Sequence, residues 1–136
     1  MKKLPFLPDR LLPFFEKNAR DLPWRKKRTP YAVLVSEIML QQTRVDTVID
    51  YFNRFMTELP TVQDLADAPE EKLLQLWEGL GYYRRVRNLQ KAAQMIVSDF
   101  NGAFPSEAKE LLKLPGVGAY TAGAIASIAF GRPAPA

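Results

Sequence analysis

The chain has 136 residues, 47% hydrophobic and 25% charged, the balance of an ordinary globular domain long enough to bury a core. It contains neither cysteine nor histidine. That excludes a disulfide framework, cysteine-held zinc or iron–sulfur, and Cys or His catalysis within these residues, and leaves acid–base work to Asp, Glu, Lys or Tyr. Lys plus Arg is 19 against 15 for Asp plus Glu, and the resulting charge of +4 leans toward a polyanionic partner. No run approaches the roughly 18 apolar residues of a membrane span. The opening Met-Lys-Lys-Leu-Pro-Phe-Leu-Pro-Asp is too short and proline-rich for a signal peptide, so the cytosol is the expected compartment.

Leu7 to Asn18 reads as a short helix, with Pro8 and Asp9 in its first turn and Pro13 shortening or kinking it. Arg20 to Pro30 is a basic linker in which Trp24 stands beside Arg25, Lys26, Lys27 and Arg28. Such a run suits phosphate contact and stacking on a base; it equally suits a solvated loop whose Trp packs inward.

Ala32 to Thr43 then has helical length without Gly or Pro, and Val33, Leu34, Val35, Ile38, Met39 and Leu40 cover every side of it. A helix apolar all round belongs in the middle of a domain. Glu37 sits at its centre, and a carboxylate among apolar neighbours is pushed toward holding its proton near neutral pH, as a general acid must. The alternative is a core helix whose Glu turns outward or pairs with an Arg. Gln41, Gln42 and Thr43 add neutral hydrogen-bonding groups about one turn on.

Val45 to Met56 is a second helix, with Val45, Val48, Ile49, Phe52 and Phe55 at helical spacing. Pro60 breaks it, and Thr61 is placed to cap a short turn holding Val62, Leu65 and Ala66. Pro69-Glu70-Glu71 opens a helix carrying Leu73, Leu74, Leu76 and Trp77 that ends at Gly79. The loop Gly79-Leu80-Gly81-Tyr82-Tyr83, followed by Arg84, Arg85 and Arg87, has the composition of an exposed wedge that enters a base stack, or of a helix cap with its aromatics packed inside. Leu89 to Phe100 is an amphipathic helix closed by a left-handed cap at Asn101-Gly102. Ser106 is placed to cap the next helix, which carries Leu111 and Leu112. Leu114-Pro115-Gly116-Val117-Gly118 turns tightly into a last helix, Ala119 to Phe130, whose small side chains allow close packing against the Glu37 helix. Every element is helical, so the expected class is all-α.

A helix, the turn Leu-Pro-Gly-Val-Gly and a second helix make a helix–hairpin–helix at about residues 106–130. Its glycines let the amides of Gly116 and Gly118 face an anion at a helix start, such as one DNA phosphate read without regard to sequence; an ordinary tight connector is the plain alternative.

Four strings occur in register: Ser36-Glu37-Ile38-Met39-Leu40-Gln41-Gln42-Thr43, Trp77-Glu78-Gly79-Leu80-Gly81-Tyr82-Tyr83, Arg87-Asn88-Leu89, and Leu114-Pro115-Gly116-Val117-Gly118-Ala119-Tyr120-Thr121-Ala122. Together they resemble the adenine-specific, mismatch-directed DNA glycosylases of the helix–hairpin–helix superfamily (the MutY type), from about Arg20 to Ala136. The resemblance implies a six-helix barrel lobe over 21–136, and an N-terminal helix within 1–20 that packs on a second, iron–sulfur lobe. It implies base excision repair: a monofunctional glycosylase that flips adenine, mispaired with 8-oxoguanine or guanine in double-stranded DNA, into a pocket and cleaves its N-glycosidic bond.

By the same resemblance Glu37 is the catalytic acid and Tyr120 lies at the pocket near it. Arg20, Trp24, Arg25, Leu40 and Val45 line or buttress the adenine. Gln42, Thr43, Leu80 and Tyr82 work at the mismatch, and Gly116 and Gly118 hold the phosphate. Lyase-competent relatives of the endonuclease III type carry a Lys where this chain has Tyr120, and a Tyr cannot form a Schiff base. Thymine–guanine mismatch glycosylases share the hairpin with its Tyr, but the Glu-bearing Ser36–Thr43 string favours adenine.

The family pattern continues past Arg-Pro-Ala-Pro-Ala to an Asp in Asp-Gly-Asn that stabilises the positive sugar, then to a four-Cys motif for a 4Fe-4S cluster and a domain that checks for 8-oxoguanine. These lie beyond Ala136, so the expectation is an N-terminal piece with weak or no activity, no resident metal, a monomeric state and work on a bacterial nucleoid in the cytoplasm. A non-catalytic DNA-binding hairpin module and a helical protein-interaction domain are the other classes.

Overall fold

The computed structural model describes residues 22–26 and 28–132. The helix expected at Leu7–Asn18, and Arg20, lie outside the described residues. Helix α1 is a single turn, Pro23–Lys26, whose Trp24 is buried. Helix α2, Pro30–Leu40, starts on a Thr29 cap that accepts the Ala32 amide at 3.2 Å, with Pro30 in the first turn where no amide is needed. It buries eight of its residues, from Tyr31 through Met39, as its all-round apolar surface requires. It stops at Leu40 rather than Thr43, and Gln41–Thr43 turn away from it. The Arg85 guanidinium occupies the carbonyls of Ile38 and Met39, which takes over what a further helical turn would satisfy.

Helix α3, Val45–Glu58, runs slightly beyond the expected Met56 and buries Val48, Phe52 and Phe55 along one stripe. Helix α4, Val62–Asp67, begins with a capping box in which Thr61 and Asp64 accept each other's amides. Helix α5, Glu70–Trp77, follows Pro69 with two acids in its first turn. Helix α6, Arg84–Asp99, starts well before Leu89 because the buried stripe reaches back through Val86 to Arg85. It ends as expected on left-handed Asn101 and Gly102, with the Gly102 amide donating to the Ile96 carbonyl at 3.0 Å.

Helix α7 is one turn, Ala108–Leu111, and its start is not capped by Ser106. The Ser106 hydroxyl instead accepts from Arg132 Nε at 3.2 Å, so the chain's two ends of the hairpin are tied to each other. Helix α8, Ala119–Ala124, continues as a wider π turn, Ile125–Ala129, instead of running as a uniform helix to Phe130.

Among the described residues every regular element is helical. Helix α2 is the axis of the packing: α1, α3, α6, α8 and the π turn all touch it. The largest buried side chains, Trp77, Phe55, Leu34, Met39 and Leu65, form one continuous core around it. Edge-on aromatic pairs lock its flanks, Trp24 on Phe52 and Phe55 on Trp77, with ring centroids 5.3 and 6.2 Å apart. The small residues expected to pack on the Glu37 helix do so, with Ala122, Gly123 and Ala126 buried.

Candidate active site and nucleic-acid face

Glu37 is the one partly exposed residue between Tyr31 and Met39. Among the described residues it has neither an ion-pair partner nor a side-chain hydrogen bond. Burial alone raises its pKa above the ordinary carboxylate value. It opens into a cleft of about 290 Å³ walled by three elements. From α1 and the residues after it come Trp24, Arg25 and Arg28; from α2, Val33 and Ser36; from the π turn, Ser127 and Ile128. Ser36 turns its hydroxyl back onto the Val33 carbonyl at 3.0 Å, which leaves Glu37 as the cleft's one carboxyl group, with the Ser127 hydroxyl on the facing wall. Trp24 packs inward on Phe52, as the plainer reading of the basic linker has it, and also walls the cleft.

The cleft gathers only part of the expected pocket. Trp24 and Arg25 line it, while Leu40 and Val45 do not. Leu40 packs on the core at the last residue of α2, and Val45 lies beyond the Gln41–Arg44 turn, 45% exposed. Tyr120 does not line this cleft: α8 turns Thr121 and Ala122 inward and leaves Tyr120 80% exposed. Ser127 and Ile128 take the wall instead, and no sequence signal marked them, because the π turn changes the helical phase just where they fall.

A second group forms past the end of α2. Gln42 is exposed and Thr43 half-buried. Across from them the loop after α5 carries left-handed backbone at Gly79, Gly81 and, unusually for an aromatic residue, Tyr82 with φ of 51°. A Cβ on Gly79 would run into the Tyr51 hydroxyl, which donates to the Glu78 carbonyl at 2.6 Å and pins the loop's start. The expected wedge divides: Tyr82 projects, 66% exposed, whereas Leu80 turns into the core at 8%. The exposed-tip expectation for Leu80 is therefore wrong, because the paired left-handed glycines fold the loop back and send the apolar side chain to the buried side.

Arg85 joins the two segments. Nη1 donates to the Ile38 and Met39 carbonyls, each at 3.0 Å, and Nη2 faces the Thr43 hydroxyl at 3.3 Å and the Leu80 and Gly81 carbonyls at 3.4 Å. Its guanidinium lies 5.3 Å from the Trp77 ring and 5.9 Å from that of Tyr82. Burial lowers its pKa and the neighbouring Tyr82 raises it; an Arg stays charged throughout.

The hairpin forms as its glycines require. Gly116 is left-handed at φ of 79°, and its Cα is backed so closely by Asn88 that a Cβ would meet the Asn88 Cβ at 3.0 Å. Gly118 is ordinary extended backbone at the start of α8, with open space where a side chain would stand. A 4Fe-4S cluster does not fit this chain: there is no cysteine, and among the described residues no group of His, Cys, Asp or Glu could hold a metal ion.

Residues 35–136 match the HhH-GPD superfamily of base excision DNA repair proteins. The chain is 55% identical over 129 residues to the adenine DNA glycosylase of Rattus norvegicus, covering 88% of this chain and 25% of that one. It is 53% identical over 131 residues to that of Homo sapiens, covering 90% and 24%. The chain thus spans about a quarter of the length of these relatives. A thermostable thymine-DNA glycosylase structure superposes with a TM-score of 0.79 at 32% identity, over 89% of this chain and 56% of the other. A trapped endonuclease III–DNA covalent intermediate superposes with a TM-score of 0.71 at 30% identity, over 92% and 62%. With its all-α fold, its hairpin and its acid-bearing central helix, the chain belongs to the HhH-GPD superfamily of base excision DNA repair proteins.

Proposed function

We propose that this chain is the acid-bearing lobe of an adenine DNA glycosylase that acts on adenine mispaired with 8-oxoguanine or guanine in duplex DNA. The observation that carries the reading is Glu37: half-buried, unpaired among the described residues, its pKa raised by burial, and open to a cleft at the edge of the fold. Protonated Glu37 gives its proton to a ring nitrogen of the flipped adenine. The glycosidic electron pair leaves with the base and an oxocarbenium-like sugar remains. The Glu37 carboxylate then accepts a proton from the water that adds to the sugar. Arg25 and Arg28 bring positive charge to the cleft's edge, and Trp24 gives it a flat apolar wall.

Gly116 and Gly118 serve a DNA phosphate, and Gln42, Thr43 and Tyr82 face the mismatch. Tyr120 offers no amine, so the reaction ends at base release without strand cleavage. Likeness to the thymine-DNA glycosylase favours one second reading, release of thymine opposite guanine on the same scaffold.

The test is single-turnover base release by the full-length enzyme that carries this chain, by its Glu37→Gln variant and by residues 1–136 alone. Adenine release lost in Glu37→Gln supports the reading, with weak or no release from the 136-residue chain. Thymine but not adenine release moves the substrate to the second reading. Low-salt DNA binding without release of either base leaves a non-catalytic hairpin module.

A further inference from the structure

Arg85 has no part in the chemistry just described, yet it makes more polar contacts than any other side chain of the described fold. Its charge has no carboxylate within ion-pair distance among the described residues. A buried cation without a counter-ion is costly unless its donors are satisfied. Here the carbonyls at the negative end of α2 meet the charge at Nη1, and among the described residues only the buried Nε is left without a partner. The first of them belongs to Ile38, the residue after Glu37. The same planar fork reaches Thr43 in the turn that follows and the Leu80 and Gly81 carbonyls in the loop opposite.

Tyr82 sits over the guanidinium in a left-handed conformation that costs an aromatic residue strain, and such strain persists only where neighbours hold it. Its backbone carbonyl also accepts the Arg85 amide at 2.9 Å. Side chain and main chain of one residue thus hold the projecting Tyr82 and the end of the acid's helix together. A lysine places three donors on one point and cannot span these sites.

We infer that Arg85 is a positioning residue that couples Tyr82 to the Glu37-bearing helix, so that engagement of the mismatch by Tyr82 and presentation of the acid are set by one guanidinium. The inference rests on the adenine glycosylase reading for its activity test, and on the fold alone for its second test.

The first test is a double-mutant cycle in the full-length enzyme, read as single-turnover adenine release at saturating duplex. Arg85→Lys lowers the rate about tenfold to a hundredfold, the scale of a small misplacement of reacting groups. In a Tyr82→Ala background the same change costs less than about twofold, because the partner through which it acts is gone. Equal costs in the two backgrounds, or no cost in either, overturn the coupling.

The second test needs no catalysis and no change at Arg85. Tyr82→Ala removes an exposed side chain, and amide hydrogen exchange is followed in the DNA-free protein. Faster exchange of the Gln41–Arg44 amides supports the coupling; unchanged exchange overturns it even where Arg85→Lys fails to fold. Wild-type enzyme that releases no adenine sinks the glycosylase reading, and the exchange result still decides the role of Arg85.

Discussion

Trp24 stands edge-on to Phe52, ring centroids 5.3 Å apart at 80°, and with its other side walls the cleft that holds Glu37. One side chain therefore belongs to both the core and the site. Trp24→Ala should lower stability by about 3–5 kcal/mol through the cavity beside Phe52. Denaturant unfolding reads this. Trp24→Phe keeps most of the packing, and should recover most of the stability while leaving the cleft wider. Equal unfolding midpoints for wild type and Trp24→Ala would contradict the packing assigned to α1.

Glu37 sets stability against pH in a definite direction. Its folded pKa lies above its unfolded one because burial disfavours the charged form. Between those two values the native state binds the extra proton, so stability falls as pH rises through that window. The penalty is full above the folded pKa and absent below the ordinary glutamate value of about 4.3. Glu37→Gln should therefore melt higher than wild type at pH 7, and the gain should shrink to nothing as pH falls toward 4. A Glu37→Gln protein less stable than wild type at pH 7 would show the carboxylate to be held by a partner.

Gly79 combines a left-handed φ of 96° with the Tyr51 hydroxyl at its back. Gly79→Ala should cost about 1–3 kcal/mol from backbone strain, and more from the collision. Tyr51→Phe removes the hydroxyl that causes the collision, at the loss of its bond to the Glu78 carbonyl. The double variant should be less destabilised than the sum of the singles, and a thermal-denaturation cycle measures the difference. Simple additivity would mean that the loop moves away from Tyr51.

Gly118 differs from Gly79 in that its backbone suits any residue and nothing stands where a Cβ would go. Gly118→Ala should leave stability within about 0.5 kcal/mol. A methyl group in that open space should weaken duplex binding by a similar factor whether or not the DNA holds a mismatch, because a phosphate contact carries no sequence information. Fluorescence anisotropy on matched and mismatched duplexes separates the cases. Weakening confined to the mismatched duplex would move Gly118 from the backbone contact to recognition.

The parts of this fold written in local chemistry were legible. The Thr61 cap, the Asn101-Gly102 stop and the tight turn from Leu114 to Gly118 each act within a few residues, and each formed as read. The all-round apolar surface of α2 announced its central place, but left open whether Glu37 stood alone or paired with an Arg. Tertiary decisions were less visible. Whether Leu80 or Tyr82 turned inward depended on what the loop folds against, and Tyr120 was sent outward by the buried side of its own helix. Arg85 was hidden among Arg84 and Arg87, both exposed, because composition treats the three alike. A signal did exist: Arg85 shares the helical stripe of Leu89, Ala92 and Ile96, where a solvated phosphate contact has no reason to be.

The π turn at Ile125–Ala129 is what a one-residue insertion looks like when a helix absorbs it without changing its ends. The extra residue bulges where Ser127 and Ile128 face the cleft, while Ile125 and Ala126 stay in the core. Deleting one residue there would restore ordinary winding and leave the helix ends where they are. The wall facing Glu37 would be rewritten, while Arg132 would keep its bond to Ser106. The lining of the cleft, though not the direction in which the chain leaves the hairpin, is thus governed by a single indel position, which makes that turn the place where length variation, rather than substitution, would reshape the cleft.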